Sequence, residues 1–188
     1  MLQGIKLILA SSSPRRQYLM REAGFSFIVE NPDTDESFPV ELPVTQVARY
    51  LAAKKAESFR MKIHDEVVLT ADTVVLLDDK ILNKPKSRKE AIDMLQQLSG
   101  RTHLVMTGVC ILSADREVSF DDTTEVTFGQ LTSDEIHYYV DTFKPFDKAG
   151  SYGAQDFIGM IGIEKITGSY FNVMGLPIHK VYQVLKNW

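Results

Sequence analysis

The feature that most constrains the fold is a short apolar run that passes through three serines into the start of a helix. Residues 6–10, Lys-Leu-Ile-Leu-Ala, predict a buried strand. Ser13 suits the N-cap of a helix, and Pro14 suits the first helical position, where no backbone N–H is needed. The sequence therefore predicts a strand, a serine-rich loop and a helix in close succession.

The same helix start carries two cations. Arg15 and Arg16 fall in its first turn, where the helix dipole disfavours positive charge. A bound anion would remove the conflict, because free backbone N–H groups, serine hydroxyls and two guanidinium groups can together hold a phosphate. An ordinary capped helix with two solvated arginines is the alternative. The pair of arginines favours the phosphate site.

Length and composition limit the class of protein. The chain has 188 residues, of which 44% are hydrophobic and 24% charged, and this predicts one soluble globular domain over residues 1–188. The net charge of -4 argues against a broad nucleic-acid surface. Cys110 is the single cysteine, which excludes an internal disulfide, and its apolar neighbours predict a buried thiol. No signal peptide or membrane span is recognisable, so we expect a cytoplasmic protein without membrane or nucleic-acid partners.

Helices and strands intermix along the chain. Apolar runs and turn residues predict strands over residues 6–10, 25–29, 67–77, 102–112 and 117–128, and helices over residues 14–22, 43–59, 87–100 and 132–142 and after Pro177. Capping boxes at Ser87/Glu90 and Thr132/Glu135 mark two of the helix starts. This mixture, with at least one hairpin, predicts an α/β (mixed α+β) fold with a mixed sheet. Residues 30–42 form a Pro- and Asp-rich loop that is long enough to suggest a function.

One carboxylate breaks the pattern of the most apolar strand. Asp72 lies in the run over residues 67–77, where an unpaired charge would be costly to bury. It is either hydrogen-bonded to backbone N–H groups at a bulge, or a general base or metal ligand at the edge of a pocket. In a regular strand Thr73 points to the opposite face from Asp72, so both can face one site only if the strand bends.

Three lysines and one amide are also unusual. Lys55 continues the apolar stripe of its helix, Lys84 is held extended by the following proline, and Lys148 opens a glycine-bearing segment. The alternative to a phosphate contact is a side chain that snorkels at the edge of the core for Lys55 and a solvated loop position for Lys84. Gln155 offers both a donor and an acceptor, as recognition of a base edge requires. Together with Asp72, these residues indicate an anionic, phosphorylated small molecule bound with a divalent ion.

Several separated motifs coincide with those of one family. The chain resembles the Maf family of nucleotide pyrophosphatases over nearly its whole length. The motifs that carry the resemblance are Ser-Ser-Ser-Pro-Arg-Arg at residues 11–16, Ala-Asp-Thr at 71–73, Lys-Pro at 84–85, Leu-Ser-Gly at 98–100, Lys-Ala-Gly-Ser-Tyr-Gly-Ala-Gln at 148–155, Gly-Ser-Tyr at 168–170 and Gly-Leu-Pro at 175–177. Ala-Asp-Thr with Tyr-Gly-x-Gln resembles the branch that acts on dTTP and UTP. The branch that acts on a methylated guanosine triphosphate tends to carry Ser-Asp-Gln and a later Glu.

The resemblance implies a role for each matching residue. Asp72 would accept a proton, and a Mg²⁺ or Mn²⁺ ion would be held by carboxylates such as Asp72 and Glu36. The loop around Glu36 differs in composition from the family's loop. Base specificity would come from Arg15, Thr73 and Gln155, and the phosphate site would be lined by Ser13, Arg16, Lys55, Lys84 and Lys148.

The implied activity is cleavage of a nucleoside triphosphate, dTTP or UTP, into the monophosphate and pyrophosphate. The resemblance also implies an elongated mixed sheet flanked by helices, two lobes around a central cleft, and a homodimer. The alternative is a non-enzymatic regulator of cell division that binds nucleotide or nucleic acid. Asp72 argues against it, because a protein that only binds polyanions has little use for a buried carboxylate among its cations.

Overall fold

A computed structural model describes residues 4–188. The strands are β1 Lys6–Ala10, β2 Ile28–Glu30, β3 Glu66–Leu77, β4 Lys80–Leu82, β5 Thr102–Leu112, β6 Glu117–Phe128 and β7 Ile163–Thr167. The helices are α1 Pro14–Glu22, α2 Val47–Glu57, α3 Arg88–Leu98, α4 Ser133–Phe143, α5 Phe157–Gly162, α6 Tyr170–Val173 and α7 Ile178–Lys186. Single 3₁₀ turns occupy Val44–Gln46 and Ala149–Ser151. Within residues 4–188, no helix combines the length and the apolar character needed to cross a bilayer.

The seven strands form one mixed sheet flanked by helices, which confirms the predicted α/β class. Their order is β2-β1-β3-β5-β6-β7, and β4 pairs with β3. Strand β1 runs parallel to both β2 and β3, whereas the β3–β4 and β6–β7 pairs are antiparallel. The strand order reverses at β1, because the chain moves from β1 outward to β2 and then returns to the other side of β1 as β3.

The chain divides into two compact units. The first comprises the residues up to Thr73 together with Thr107–Asp122 and Gly175–Trp188, and the second comprises Val74–Met106 and Thr123–Met174. Each unit has its own apolar core, which includes Val68 and Leu112 in the first and Leu95 and Phe128 in the second. One domain over residues 1–188, the elongated shape and the central cleft stay predictions.

Helices α1 and α2 lie on opposite faces of β3. Parallel strands joined through a helix take right-handed crossovers. The crossover from β1 to β2 and the crossover from β2 to β3 run in opposite directions across the sheet, so their helices cover opposite faces. On one face the Thr70 hydroxyl donates to the Ala52 carbonyl of α2 at 2.7 Å. On the other face the Arg16 guanidinium of α1 donates to the Thr73 hydroxyl at 3.0 Å.

Helix α2 approaches the sheet very closely at one glycine. A Cβ atom added to Gly108 of β5 would lie 2.3 Å from the carbonyl carbon of Ala48 and 2.3 Å from the amide nitrogen of Arg49. No larger residue fits there without displacing the helix, because the obstructing atoms are backbone. Gly108 therefore sets the distance between α2 and the sheet in the first unit.

The structure confirms most predicted elements and corrects several. The capping box of Thr132 and Glu135 is present at α4. Only half of the capping box predicted at Ser87 is present. The Ser87 hydroxyl accepts from the backbone N–H of Glu90, but the Glu90 carboxylate accepts from the backbone N–H of Lys86 and not from that of Ser87. Cys110 is buried, as predicted, and burial raises the pKa of its thiol to about 11. Four short elements, β4, β7, α5 and α6, were not predicted from the sequence, and the strand predicted over residues 25–29 is the shorter β2.

Candidate active site

The carboxyl ends of β1 and β3 form the point where the strand order reverses. Leu9 of β1 pairs with Leu69 of β3, and β1 ends one residue later, whereas β3 continues to Leu77. In open α/β sheets, ligands bind beyond the carboxyl ends of the strands at such a reversal. The N-terminus of α1 and the Asp72–Thr73 pair both lie at this end, so the topology selects the same residues as the sequence motifs.

A lysine joins two carboxylates on the α2 face. The ammonium group of Lys55 donates to Asp72 Oδ1 and lies 3.5 Å from Glu36 Oε1. The side chains of Lys55 and Asp72 are each only 12% exposed, whereas that of Glu36 is 56% exposed. The predicted catalytic residue, one predicted phosphate ligand and one predicted metal ligand are thus brought together. One cation is therefore shared between two carboxylates.

The neighbouring lysine holds the loop that carries Glu36. Lys54 binds Asp35, and its ammonium also donates to the Ser37 carbonyl at 2.9 Å. The Ser37 hydroxyl donates back to Asp35 Oδ2 at 2.9 Å. The hydrogen bond from Lys54 is the main cause that lowers the pKa of Asp35. Both neighbours of Glu36 are therefore tied to the last turn of α2.

The α1 face is organised around Arg16. Ser13 is the N-cap of α1 and Pro14 opens the helix, as predicted. The Arg16 guanidinium donates from Nε to the Gly175 carbonyl at 2.7 Å, and from one terminal nitrogen to the Ala71 carbonyl at 2.8 Å. That nitrogen also donates to the Ser11 hydroxyl at 3.3 Å.

Arg16 is thus bound mainly by neutral oxygens. With the bond to Thr73, four of the five N–H groups of its guanidinium have partners within the protein. Burial lowers the pKa of Arg16, and the charge of Asp72 opposes that effect. Arg15, one residue earlier, is half-buried. The predicted phosphate contact of Arg16 stays a prediction, while its structural contacts are already extensive.

Asp72 and Thr73 face opposite sides of β3. Asp72 points to α2, whereas the Thr73 hydroxyl contacts Arg16 of α1 and lies 2.9 Å from the Thr107 hydroxyl. Strand β3 runs unbroken from Glu66 to Leu77. The bend that would turn both side chains toward one face is therefore absent from this strand, and the two residues lie on different faces of β3, both next to the point where β1 ends.

The second unit carries the other three predicted residues. The backbone N–H of Gly150 donates to the Asn83 carbonyl at 3.3 Å, so the segment after Lys148 is bonded to the residue that precedes Lys84. Lys84 is exposed, and Gln155 is half-buried. Oε1 of Gln155 is buried and has no hydrogen-bond partner in the described part of the chain.

Lys148 lies between two carboxylates. Its ammonium donates to Asp147 Oδ1 at 2.8 Å and lies 3.6 Å from Asp156 Oδ2. Asp156 also accepts a hydrogen bond from the Tyr139 hydroxyl at 2.9 Å. Burial and the charge of Asp156 raise the pKa of Tyr139. Lys148 is therefore fixed by charge on both sides of the glycine-bearing segment.

Sequence reasoning missed several partners of these residues. Ser11 and Thr107 are buried hydroxyls that contact Arg16 and Thr73 respectively, and the Gly175 carbonyl accepts from Arg16. His103 and Tyr152 form a buried pair in the second unit. A polar residue in an otherwise apolar strand was the signal that could have identified Thr107 and His103, as it identified Asp72.

The fold and the first unit's site define an α/β protein that gathers charged and hydroxyl side chains where the strand order reverses. A model of the family described as Maf-like protein matches residues 6–188, and the chain belongs to this family. A dTTP/UTP pyrophosphatase of Bacteroides thetaiotaomicron is 46% identical over 187 residues, which cover 98% of this chain and 97% of that protein. A dTTP/UTP pyrophosphatase of Bacteroides fragilis (strain YCH46) is 48% identical over 187 residues with the same coverage.

Among solved structures, a HAM1 protein from Coxiella burnetii matches with a TM-score of 0.49 and 14% sequence identity. The match covers 98% of this chain and 100% of that chain. The family assignment rests on the sequence relatives and does not depend on this distant likeness.

Proposed function

We propose that this protein hydrolyses dTTP and UTP to the nucleoside monophosphate and pyrophosphate. The observation that carries the proposal is the Lys55 ammonium shared by Asp72 and Glu36 at the reversal of strand order. Full-length relatives named dTTP/UTP pyrophosphatase support the choice of substrate. The alternative of a non-enzymatic regulator of cell division is not favoured, because these relatives bear an enzyme's name.

In the proposed reaction, a water oxygen adds to a phosphorus atom of the bridge between the α- and β-phosphates. The bridging P–O bond breaks, its electron pair leaves with the departing phosphate oxygen, and the water proton passes to the Asp72 carboxylate. Asp72 suits this role because it is buried and lies just beyond the carboxyl end of β1. Lys55 holds the carboxylate in one orientation.

The donor set at Lys55 fits a divalent metal ion. Asp72 and Glu36 both face the position that the Lys55 ammonium occupies, and a metal ion would have to replace the ammonium there. Mg²⁺ is commonly bound by one or two carboxylates together with substrate phosphates. Within residues 4–188, no group of three or more His, Cys, Asp or Glu side chains is arranged to hold a metal ion. A Mg²⁺ or Mn²⁺ ion held there by Asp72 and Glu36 would neutralise charge on the phosphates.

The phosphates and the base are assigned to the remaining residues. We propose phosphate contacts from the α1 N-terminus at Ser13 and from Lys55, Lys84 and Lys148, with Arg16 using its remaining N–H group. Stabilising charge on the phosphates is the main task of a protein in such reactions. For the base we propose Arg15, Thr73 and Gln155, and the unpartnered Oε1 of Gln155 supports this, because a ligand N–H would satisfy it. A cytoplasmic location and a homodimer stay predictions.

The test is a comparison of products and substrates with purified protein. With Mg²⁺ or Mn²⁺ present, we expect dTTP and UTP to give the monophosphate and pyrophosphate, and CTP, GTP and ATP to react more slowly. Release of orthophosphate instead of pyrophosphate would contradict the position of cleavage. A protein that binds these nucleotides without turnover would restore the regulator as the better interpretation.

A further inference from the structure

The segment that carries Lys148 and Gln155 contains a strained turn. Gly150 has φ 67° and the next residue, Ser151, has φ 64°. A non-glycine residue rarely adopts this left-handed conformation, and it persists only where the surrounding structure holds it. The Ser151 hydroxyl contributes nothing to this, since it is buried and has no partner in the part of the chain that the structure describes.

A buried pair holds the turn from its carboxyl side. The hydroxyl of Tyr152, which directly follows Ser151, lies 2.7 Å from Nε2 of His103 in β5. Tyr152 is 6% exposed and His103 only 2% exposed. Phe128 packs against both rings, with centroid distances of 5.0 Å to Tyr152 and 5.6 Å to His103. Both partners are therefore fixed in an apolar part of the second unit's core.

The pair is uncharged and shares one hydrogen bond. Burial lowers the pKa of His103 to about 4 and raises the pKa of Tyr152, so both groups are neutral at neutral pH. Nδ1 of His103 has no hydrogen-bond partner among residues 4–188. The bond to Tyr152 is thus the polar contact that orients the imidazole, and a neutral ring enclosed in this way is unsuited to proton transfer with a substrate.

We propose that His103 is a positioning residue, which acts through Tyr152 to hold the turn that places Lys148 and Gln155. Tyr152 lies between these two residues in the chain, and the turn has its other anchor in the bond from Gly150 to Asn83. The inference rests on the proposed function, in which Lys148 and Gln155 contact the substrate. Without the His103 bond, the turn relaxes and the backbone that carries Lys148 and Gln155 loses its fixed placement.

Two variants separate positioning from stability. Tyr152→Phe removes one oxygen atom and keeps the ring, but it leaves the buried Nε2 of His103 unpaired. The double variant His103→Phe/Tyr152→Phe removes both polar partners, and replacing both with apolar groups of similar shape restores most of the stability. Tyr182→Phe is the matched control, because Tyr182 is half-buried in the first unit, where it packs against Phe25.

We expect Tyr152→Phe to lower the melting temperature and to lower kcat/KM for dTTP and UTP about tenfold. The preference for UTP over CTP, measured as the ratio of their kcat/KM values, should also decrease, because Gln155 is displaced. In the double variant we expect the melting temperature to recover while the kinetic loss remains. Recovery of kcat/KM together with the melting temperature would overturn the inference, since His103 would then serve stability alone.

Hydrogen–deuterium exchange of the ligand-free protein supplies a readout that needs no activity. Residues 148–156 should exchange at least about fivefold faster in both variants than in the unmodified protein and the Tyr182→Phe control, while α3 stays protected. Unchanged exchange in residues 148–156 would overturn the inference even if kinetics changed. If the unmodified protein hydrolyses no nucleoside triphosphate, the proposed function is wrong, and the exchange data alone decide whether His103 holds the turn.

Discussion

The two compact units fix their polar side chains by different chemistry. In the first unit, a buried ammonium at Lys55 is shared by two carboxylates, Asp72 and Glu36. In the second, the turn before Gln155 is anchored by the neutral pair of His103 and Tyr152. Ions that neutralise each other can exchange partners when a charged ligand arrives, whereas a neutral pair enclosed in the core offers a ligand nothing to exchange. Reactivity is therefore expected in the first unit and geometric control in the second.

The largest expected effect comes from removing the first unit's central charge. Asp72→Asn should lower turnover by about two to four orders of magnitude, because a general base is lost. The fold should persist, since an amide oxygen can still accept from Lys55. Pyrophosphate release measures turnover, and thermal unfolding shows whether the fold persists. Asp93→Asn, on the exposed side of α3, is the control, and near-normal turnover in Asp72→Asn would contradict the proposed reaction.

Arg16 tests whether a half-buried cation bound by neutral oxygens behaves as part of the scaffold. Arg16→Lys should reduce the free energy of unfolding by about 2–4 kcal/mol, because a single ammonium cannot replace the fork of N–H groups and leaves buried acceptors unpaired. Urea unfolding measures the loss. Arg21→Lys on the same helix, where the arginine is exposed and bonded to Gln17, should change little. Equal stability of the two variants would mean that Arg16 is not part of the scaffold and can change partners, as Lys55 can.

The neutral pair predicts a particular dependence of stability on pH. The pKa of His103 is lowered from 6.5 to about 4 in the folded protein, so between these pH values the unfolded chain binds the proton more strongly. The contribution of neutral His103 to the free energy of unfolding is therefore complete above pH 6.5 and is lost as the pH falls toward 4. The total loss is at most about 3 kcal/mol. Unfolding of the double variant His103→Phe/Tyr152→Phe should lack this component. Identical pH profiles in the two proteins would contradict the neutral pair.

The smallest expected effect concerns base selection. Gln155→Glu removes an amide donor and adds a charge, and it should lower kcat/KM for dTTP and UTP about tenfold. The effect on affinity for inorganic pyrophosphate should be smaller, because the substitution alters contacts with the base. Steady-state kinetics over dTTP, UTP, CTP, GTP and ATP provide the test. An unchanged ranking and unchanged rates would remove Gln155 from the specificity site.

The fold was predictable where periodicity is strong. Long apolar runs located β3 and β5 to within one residue, the turn at residues 114–116 located the start of β6, and the capping box located α4. The missed β4 and β7 are short, with three and five residues, and their sequences carry no period that separates them from loops. Their strand character comes from pairing with β3 and β6, which is a tertiary effect.

The site was predictable as a set of unusual residues but not as a set of contacts. Asp72 and Lys55 each broke the pattern of its own element, and the structure brings them together. For Arg16 the sequence suggested an anion, whereas the structure supplies carbonyls of Ala71 and Gly175, which lie 55 and 159 residues away in the chain. No local pattern encodes partners at such separations, so only the folded chain reveals how much of that guanidinium is already engaged.

The Lys55–Asp72 ion pair depends on the absence of a side chain at Gly108. Lys55 reaches Asp72 because α2 rests directly on β5, and a single methyl group at position 108 would force that backbone apart. The strength of the ion pair therefore depends partly on a residue that carries no charge and touches neither partner. A substitution of Gly108 would move α2, and Lys55 with it, away from Asp72. It would weaken the ion pair although every charged residue stayed in the sequence.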